Sequence, residues 1–247
     1  MTGGHATRHP HYTNEAPMRR AIRYLIVLFL LFSLAVSIAG GVAYFILAPK
    51  LPEVESLRDV KLQVPLRVYS QDGKLISEFG EQRRAPLRYE DIPTQMIQAF
   101  LAAEDERFFT HPGVDYQGLI RAVWHIVRTG EMGPGGSTIT MQVARNFFLS
   151  REKTYLRKAN EILLALKIDR ELSKEEVLEL YLNKIFLGHR AYGVGAAAQV
   201  YYGRSVDELT LAEVATIAGL PQAPSAANPV SNPRAALHAG GMCCVAC

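Results

Sequence analysis

Hydrophobic and polar positions divide this chain into three stretches with different periods. Residues 24–48 contain no charge, and residues 25–32 open an apolar run long enough to cross a bilayer as a helix. Residues 49–65 carry early prolines, scattered charge and weak periodicity, which predicts a spacer stalk. Next, Val68 and Tyr69 before Asp72-Gly73, with Leu75 and Ile76 after, predict a short hairpin over 66–79. From there the period becomes helical. Asp91, Ile92, Pro93 and Thr94 open a helix with Met96, Ile97, Phe100 and Leu101 on one face. Leu119, Ile120, Val123, Trp124 and Val127 line a second until Gly130. Ile139, Val143 and Phe147 mark a third helix, and Leu156, Ala159, Leu163 and Leu166 a fourth. Capping boxes, Ser173 with Glu176 and Thr210 with Glu213, start two more. Residues 66–238 read as one mainly α domain.

Arg19, Arg20 and Arg23 precede the apolar run. By the positive-inside rule they leave residues 1–20 in the cytoplasm and the body outside. The run exceeds a signal-peptide core, so residues 21–48 read as an uncleaved anchor; a signal peptide cut near Ser37 and Ala39 is the rival reading. Among 247 residues, 27 Lys and Arg mix with 24 Asp and Glu along the chain, which argues against a polyanion binder and so against nucleic acid as partner. Cys243, Cys244 and Cys247 all sit at the end, so the body depends on no disulfide. No histidine stands at ligand spacing from them for a structural zinc site. His5, His9 and His11 belong to a polar tail.

Candidate chemistry begins where the helix after Thr94 ends. Glu104, Asp105, Glu106, Arg107, Phe108, Phe109, Thr110, His111, Pro112 and Gly113 deliver acids, aromatics and a histidine into a turn. A carboxylate at a helix C-terminus faces the negative end of the macrodipole, and aromatic neighbours such as Phe108 exclude water. Both disfavour ionisation of Glu104, which suits a general base. The glycine-rich residues 130–136 read as a mobile loop over a cleft. Ser137 then caps the next helix, on which Thr138, Gln142 and Arg145 share a polar face beside Asn146 that suits a phosphate or sugar. Arg157 and Glu161 are i, i+4 neighbours, with Lys158 adjacent. Alone that spacing is a surface ion pair; beside the first box it suggests a site managing an anionic leaving group.

In order and spacing, the Glu104 box, residues 136–146, then Arg157, Lys158 and Glu161, and finally residues 174–183 and 193–203 resemble the five boxes of the family 51 peptidoglycan glycosyltransferases, in the form carried by class A penicillin-binding proteins. The resemblance covers roughly residues 64–232. It implies a lysozyme-like helical fold that polymerises lipid II into glycan strands at the outer face of the cytoplasmic membrane. Glu104 takes the position of the general base and Glu161 that of the second glutamate near the donor pyrophosphate. Asp105, Phe108, His111, Ser137, Thr138, Gln142, Arg145, Asn146, Arg157 and Lys158 take substrate-binding positions. Met141 stands where many members have Gln, and Arg145 where many have Lys, which keeps the charge.

The implied partners are lipid II, the growing strand, membrane lipid near Leu87 and Ile92, and cell-wall synthesis proteins. No dedicated metal cage is legible, and the resemblance admits a divalent cation, Mg or Mn, at the pyrophosphate. Residues 239–247 depart from the resemblance and read as a frameshifted tail. The last helix is then incomplete and a transpeptidase domain is missing. Two further readings are an inactive fragment that binds lipid II and a lysozyme-like lytic enzyme.

Overall fold

The computed structural model describes residues 15–47, 49, 51–60, 62, 65–73, 75–80, 82–130, 136–150, 152, 154–236 and 240–241. The chain forms two units, Met1–Lys50 and Leu51–Cys247. In the first, α1 (Glu15–Leu47) contains an apolar segment, Ile22–Val42, with a mean hydropathy of 2.6. Leu25, Phe29, Leu30 and Phe32 are all exposed, so the helix is apolar all round, the composition of a bilayer span.

In the second unit, β1 (Leu66–Tyr69) and β2 (Leu75–Phe79) pair antiparallel, Leu66 opposite Phe79, with an irregularity at Val68/Tyr69. The turn closes as the sequence predicts: Gly73, at φ 79°, donates its N–H to Ser70 O at 2.9 Å. A second pairing has no counterpart in the sequence reading. β3 (Arg83–Arg84) lies parallel to β4 (Ala191–Tyr192), with Arg84 opposite Tyr192. Two-residue strands are too short to leave a periodic signal.

Helices make up the rest: α2 (Thr94–Glu104), α3 (Tyr116–Thr129), α4 (Ile139–Phe148), α5 (Tyr155–Glu171), α6 (Lys174–Lys184), α7 (Val194–Tyr202) and α8 (Leu211–Gly219). α4 packs on α5 and α6, while α2 packs on α8. Met96, Phe100, Ile139, Leu164, Ile168, Leu178, Leu182 and Ile217 are fully buried between them. Both capping boxes form with their reciprocal bonds, at Ser173/Glu176 and Thr210/Glu213.

Several expectations are corrected. On α5 the buried stripe is Glu161, Leu164, Ala165 and Ile168, whereas Leu156 is exposed; the continuous apolar run around Leu163 leaves the phase undetermined from sequence. The start of the stalk is docked. Val54 and Leu57 enter the core, Arg58 Nη2 donates to Glu171 O at 2.8 Å and Lys167 Nζ to Pro52 O at 3.3 Å. Ile92 is a core residue and Leu87 packs against the core, so neither forms a lipid-facing patch. The exposed apolar face lies instead on α3, which buries none of its residues: Ile120, Val123, Trp124 and Val127 are all exposed. The loop 131–135 and the tail 239–247, apart from Gly240 and Gly241, lie outside the described residues, as do the N-terminal histidines and the three cysteines.

If the stalk is part of the folded body, Leu57→Ala is expected to destabilise it by roughly 2–4 kcal/mol, through the lost burial of the side chain and the cavity left behind. Chemical denaturation of the solubilised chain reads this, and an unchanged midpoint returns residues 51–60 to the status of a spacer.

Candidate active site

Glu104 is the last residue of α2, and its Oε2 accepts from Gln142 Nε2 on α4 at 2.7 Å. Burial pushes its pKa above the ordinary carboxylate range; the Gln142 bond and the Arg145 charge oppose this, and Asp105 adds to it. Two causes were anticipated from sequence, the negative end of the helix dipole and aromatic shielding by Phe108. That ring is instead fully enclosed, edge-on to Phe109 and His111, with Lys174 Nζ 4.7 Å from its centroid. Phe108 therefore shapes the turn from inside rather than lining a cleft.

Asp105 is buried and does three things at once. Its carboxylate contacts His111 Nε2 through both oxygens, at 2.9 and 3.0 Å, and accepts the N–H of Ile139 at 3.0 Å. Ile139 is the first residue of α4, so the acid also meets the positive end of that helix dipole. The cap of α4 is Thr138, not Ser137: Thr138 Oγ1 accepts from Met141 N at 3.2 Å and donates to Gly113 O at 2.6 Å. Gly113, at φ 73°, cannot carry a side chain, because a Cβ there would lie 2.4 Å from Ala165 O. Lys174 completes the turn by donating to His111 O at 2.7 Å and pairing with Asp169 at 2.6 Å.

Ser137 has another task. Its Oγ accepts from Lys158 Nζ at 2.8 Å, and the same ammonium reaches Glu161 Oε1 at 2.8 Å. Arg157 Nη1 holds Glu161 Oε2, also at 2.8 Å. Glu161 is only 1% exposed, so this is a buried carboxylate between two cations, not the surface pair its spacing suggests in isolation. Arg145 is half-buried, and its guanidinium makes no hydrogen bond or ion pair among the described residues.

Two cavities flank these groups. The first, about 400 Å³, is lined by Glu104, Asp105, Arg107, Arg121, His125 and Ser137 among others. The second, about 690 Å³, is lined by Arg145, Asn146, Arg157, Arg84, Lys184 and Tyr192 among others. The contacts Ser137–Lys158–Glu161–Arg157 run from the wall of one to the wall of the other. A carboxylate disposed to take a proton thus faces one cavity and unpaired positive charge faces the other.

The sequence model of the transglycosylase family matches residues 72–244. The chain belongs to the transglycosylase family. Among its relatives are penicillin-binding protein 1A of Pseudomonas aeruginosa, 61% identical over 191 residues, covering 77% of this chain and 23% of that protein, and penicillin-binding protein 1A of Escherichia coli, 56% identical over 187 residues, covering 76% and 22%. A crystal structure of penicillin-binding protein 1A from Haemophilus influenzae is 35% identical, covers 76% of this chain and 18% of that one, and has a TM-score of 0.42. The chain spans less than a quarter of the length of those two relatives.

Sequence reasoning missed several residues that line the two cavities. Arg107 bonds Asp115 and Gln117 and lines the first cavity with Arg121 and His125; Gln82, Arg84, Lys184 and Tyr192 line the second. Their placement depends on β3 meeting β4 and on Arg107 reaching the start of α3, and neither leaves a local signature.

The raised pKa of Glu104 makes stability depend on pH. The folded state holds this proton more tightly than the unfolded state. The penalty is therefore absent below the unfolded pKa and grows as pH rises through the folded value. Glu104→Gln is expected to melt higher than wild type at about pH 8, with the gap closing by about pH 4. Circular dichroism melts across this range read it; a gap independent of pH counts against a proton-favouring site.

Proposed function

We propose that this transglycosylase polymerises lipid II, the acceptor sugar occupying the Glu104 cavity and the lipid-pyrophosphate-linked donor the Arg145 cavity. The observation that carries this reading is the division of roles across the shared wall. A partly buried base, bonded among the described residues at one oxygen by Gln142, opens on one side, and Arg145 and Arg157 open on the other. In the step proposed, the acceptor 4-hydroxyl loses its proton to Glu104 as its oxygen attacks the donor's anomeric carbon. The bond from that carbon to pyrophosphate breaks with inversion, and the electron pair leaves on the lipid pyrophosphate. Arg145 supplies the free positive charge, and Arg157 and Lys158, held by Glu161, supply the rest. Gln142 orients the base and Asp105 fixes the turn that presents it.

A resident divalent cation does not fit the Arg145 cavity. Among the described residues its lining side chains include cations and no carboxylate, and no cluster of three or more His, Cys, Asp or Glu occurs. The lytic reading is not favoured by the relatives, which are penicillin-binding proteins by name. Glu104→Gln is expected to lower polymer formation from lipid II by about 10²–10⁴-fold, the usual contribution of a positioned base. Gel analysis of the glycan product measures it, and a fall of less than about threefold removes Glu104 from the role.

The membrane part of the proposal places α1 across the inner membrane with the body on the periplasmic side, and sets the exposed apolar face of α3 against the lipid surface. Ile120, Val123, Trp124 and Val127 present that face, and Trp124 is the single tryptophan of the chain. Such a face bounded by Arg121 and Arg128 suits the interface of an anionic bilayer. In proteoliposomes, lipids brominated near the headgroup are expected to quench Trp124 fluorescence by roughly half or more, with a blue-shifted emission. An unquenched, solvent-like spectrum would place α3 away from lipid.

A further inference from the structure

The glycosyl-transfer step leaves two cations of the second cavity without a task. Arg84 is 4% exposed and donates only to neutral acceptors: Nε and Nη2 to Gln82 Oε1 at 3.1 and 2.7 Å, and Nη1 to Asn183 O at 3.2 Å. Its guanidinium carbon lies 4.9 Å from the Tyr192 ring centroid, a placement fixed by the β3–β4 pairing. Lys184, at the end of α6, is half-buried with Nζ 4.7 Å from the Phe147 centroid. Among the described residues no carboxylate pairs with either side chain, and the cavity lining contains no Asp or Glu.

Cations held out of water without a counter-ion are costly, and both groups register the cost. Burial pushes Arg84 below its ordinary pKa; burial, then the Arg84 charge, does the same to Lys184. A protein keeps such a pair where a ligand supplies the missing negative charge. A cavity of about 690 Å³ is in the range that encloses a whole small ligand, larger than the pyrophosphate assigned to Arg145 and Arg157 needs. Phe186 and Tyr192 add aromatic wall.

We propose that Lys184, with Arg84 fixed behind it, is a carboxylate-recognition point for the acidic peptide branch of the donor strand. This rests on the reading of the Arg145 cavity as the donor side. Lys184 makes the direct contact, because it is the more exposed of the two. Arg84 acts as a positioning residue: it stacks on Tyr192, stays charged, and raises the positive potential at the ammonium. The pyrophosphate is the other anion that could meet these cations, and the two sources differ in whether the peptide matters.

The test is donor binding by the full chain in detergent, which requires no turnover. Three donors are compared: lipid II with free peptide carboxylates, lipid II with those carboxylates amidated, and the lipid-linked disaccharide without peptide. Wild type is expected to bind the first about tenfold more tightly than the other two, the scale of one charge-assisted contact. Lys184→Met keeps the stem over Phe147 and is expected to bind all three alike, whereas Lys184→Arg is expected to restore most of the preference. Equal binding of the three donors by wild type, or equal weakening of all three by Lys184→Met, overturns the proposal. Loss of polymer formation in wild type, by contrast, strikes the function reading and is measured separately.

Discussion

The carboxylate of Asp105 is the constraint on which the rest of the site depends. Placed one residue beyond the end of α2, it receives the first backbone N–H of α4 and grips His111 from the turn between them. A buried carboxylate is tolerable only where such donors replace water. The helix that leads into it and the two elements that satisfy it are therefore held in one arrangement. Glu104 precedes it on the chain, and its orientation toward Gln142 follows from the same junction. Thr138 and Gly113 tighten the junction by a second bond, and Gly113 is pressed so closely on α5 that its turn has no freedom to retreat.

Around this junction the protein keeps two carboxylates in contrasting surroundings. Glu104 is disfavoured as an anion by burial and receives one neutral donor. Glu161 is more deeply buried, yet carries a cation on each oxygen. Removing one partner of such a buried group typically costs about 3–5 kcal/mol, because the remaining charge is stranded. The second glutamate is thus best understood as an organiser: it holds Arg157 at the wall of the second cavity and Lys158 against Ser137. Arg145, left free beside it, is the cation able to respond to an arriving anion.

Apolar surface is distributed with the same economy. The body buries its aliphatic residues between α2, α4, α5, α6 and α8, while α1 and one face of α3 remain apolar and exposed. On the proposed reading, that distribution keeps the reacting groups in a polar, cation-rich body and leaves apolar surface for the hydrocarbon of a lipid-linked substrate.

Much of this was legible in the residues alone. The apolar length of α1, the turn at Gly73, the ends of α2 and the capping boxes are local properties, set by period, backbone conformation and side-chain-to-backbone bonds within a few residues. The Glu104 box, and the distances from it to Gln142, Arg145 and Glu161, also stand in the linear order. Burial was decided only by the tertiary structure. Glu161 and Arg157 look like a solvated i, i+4 pair until α4 covers them. The apolar face of α3 looks like core until none of the described elements covers it, and Leu57 looks like linker until it enters the core. Arg84 and Lys184 acquire a common cavity only when β3 finds β4. Sequence determines what a side chain can do chemically. Whether that side chain faces water, lipid or another charge depends on contacts between residues far apart in the chain, and the desolvation that dominates the behaviour of Glu104 exists only once those contacts form.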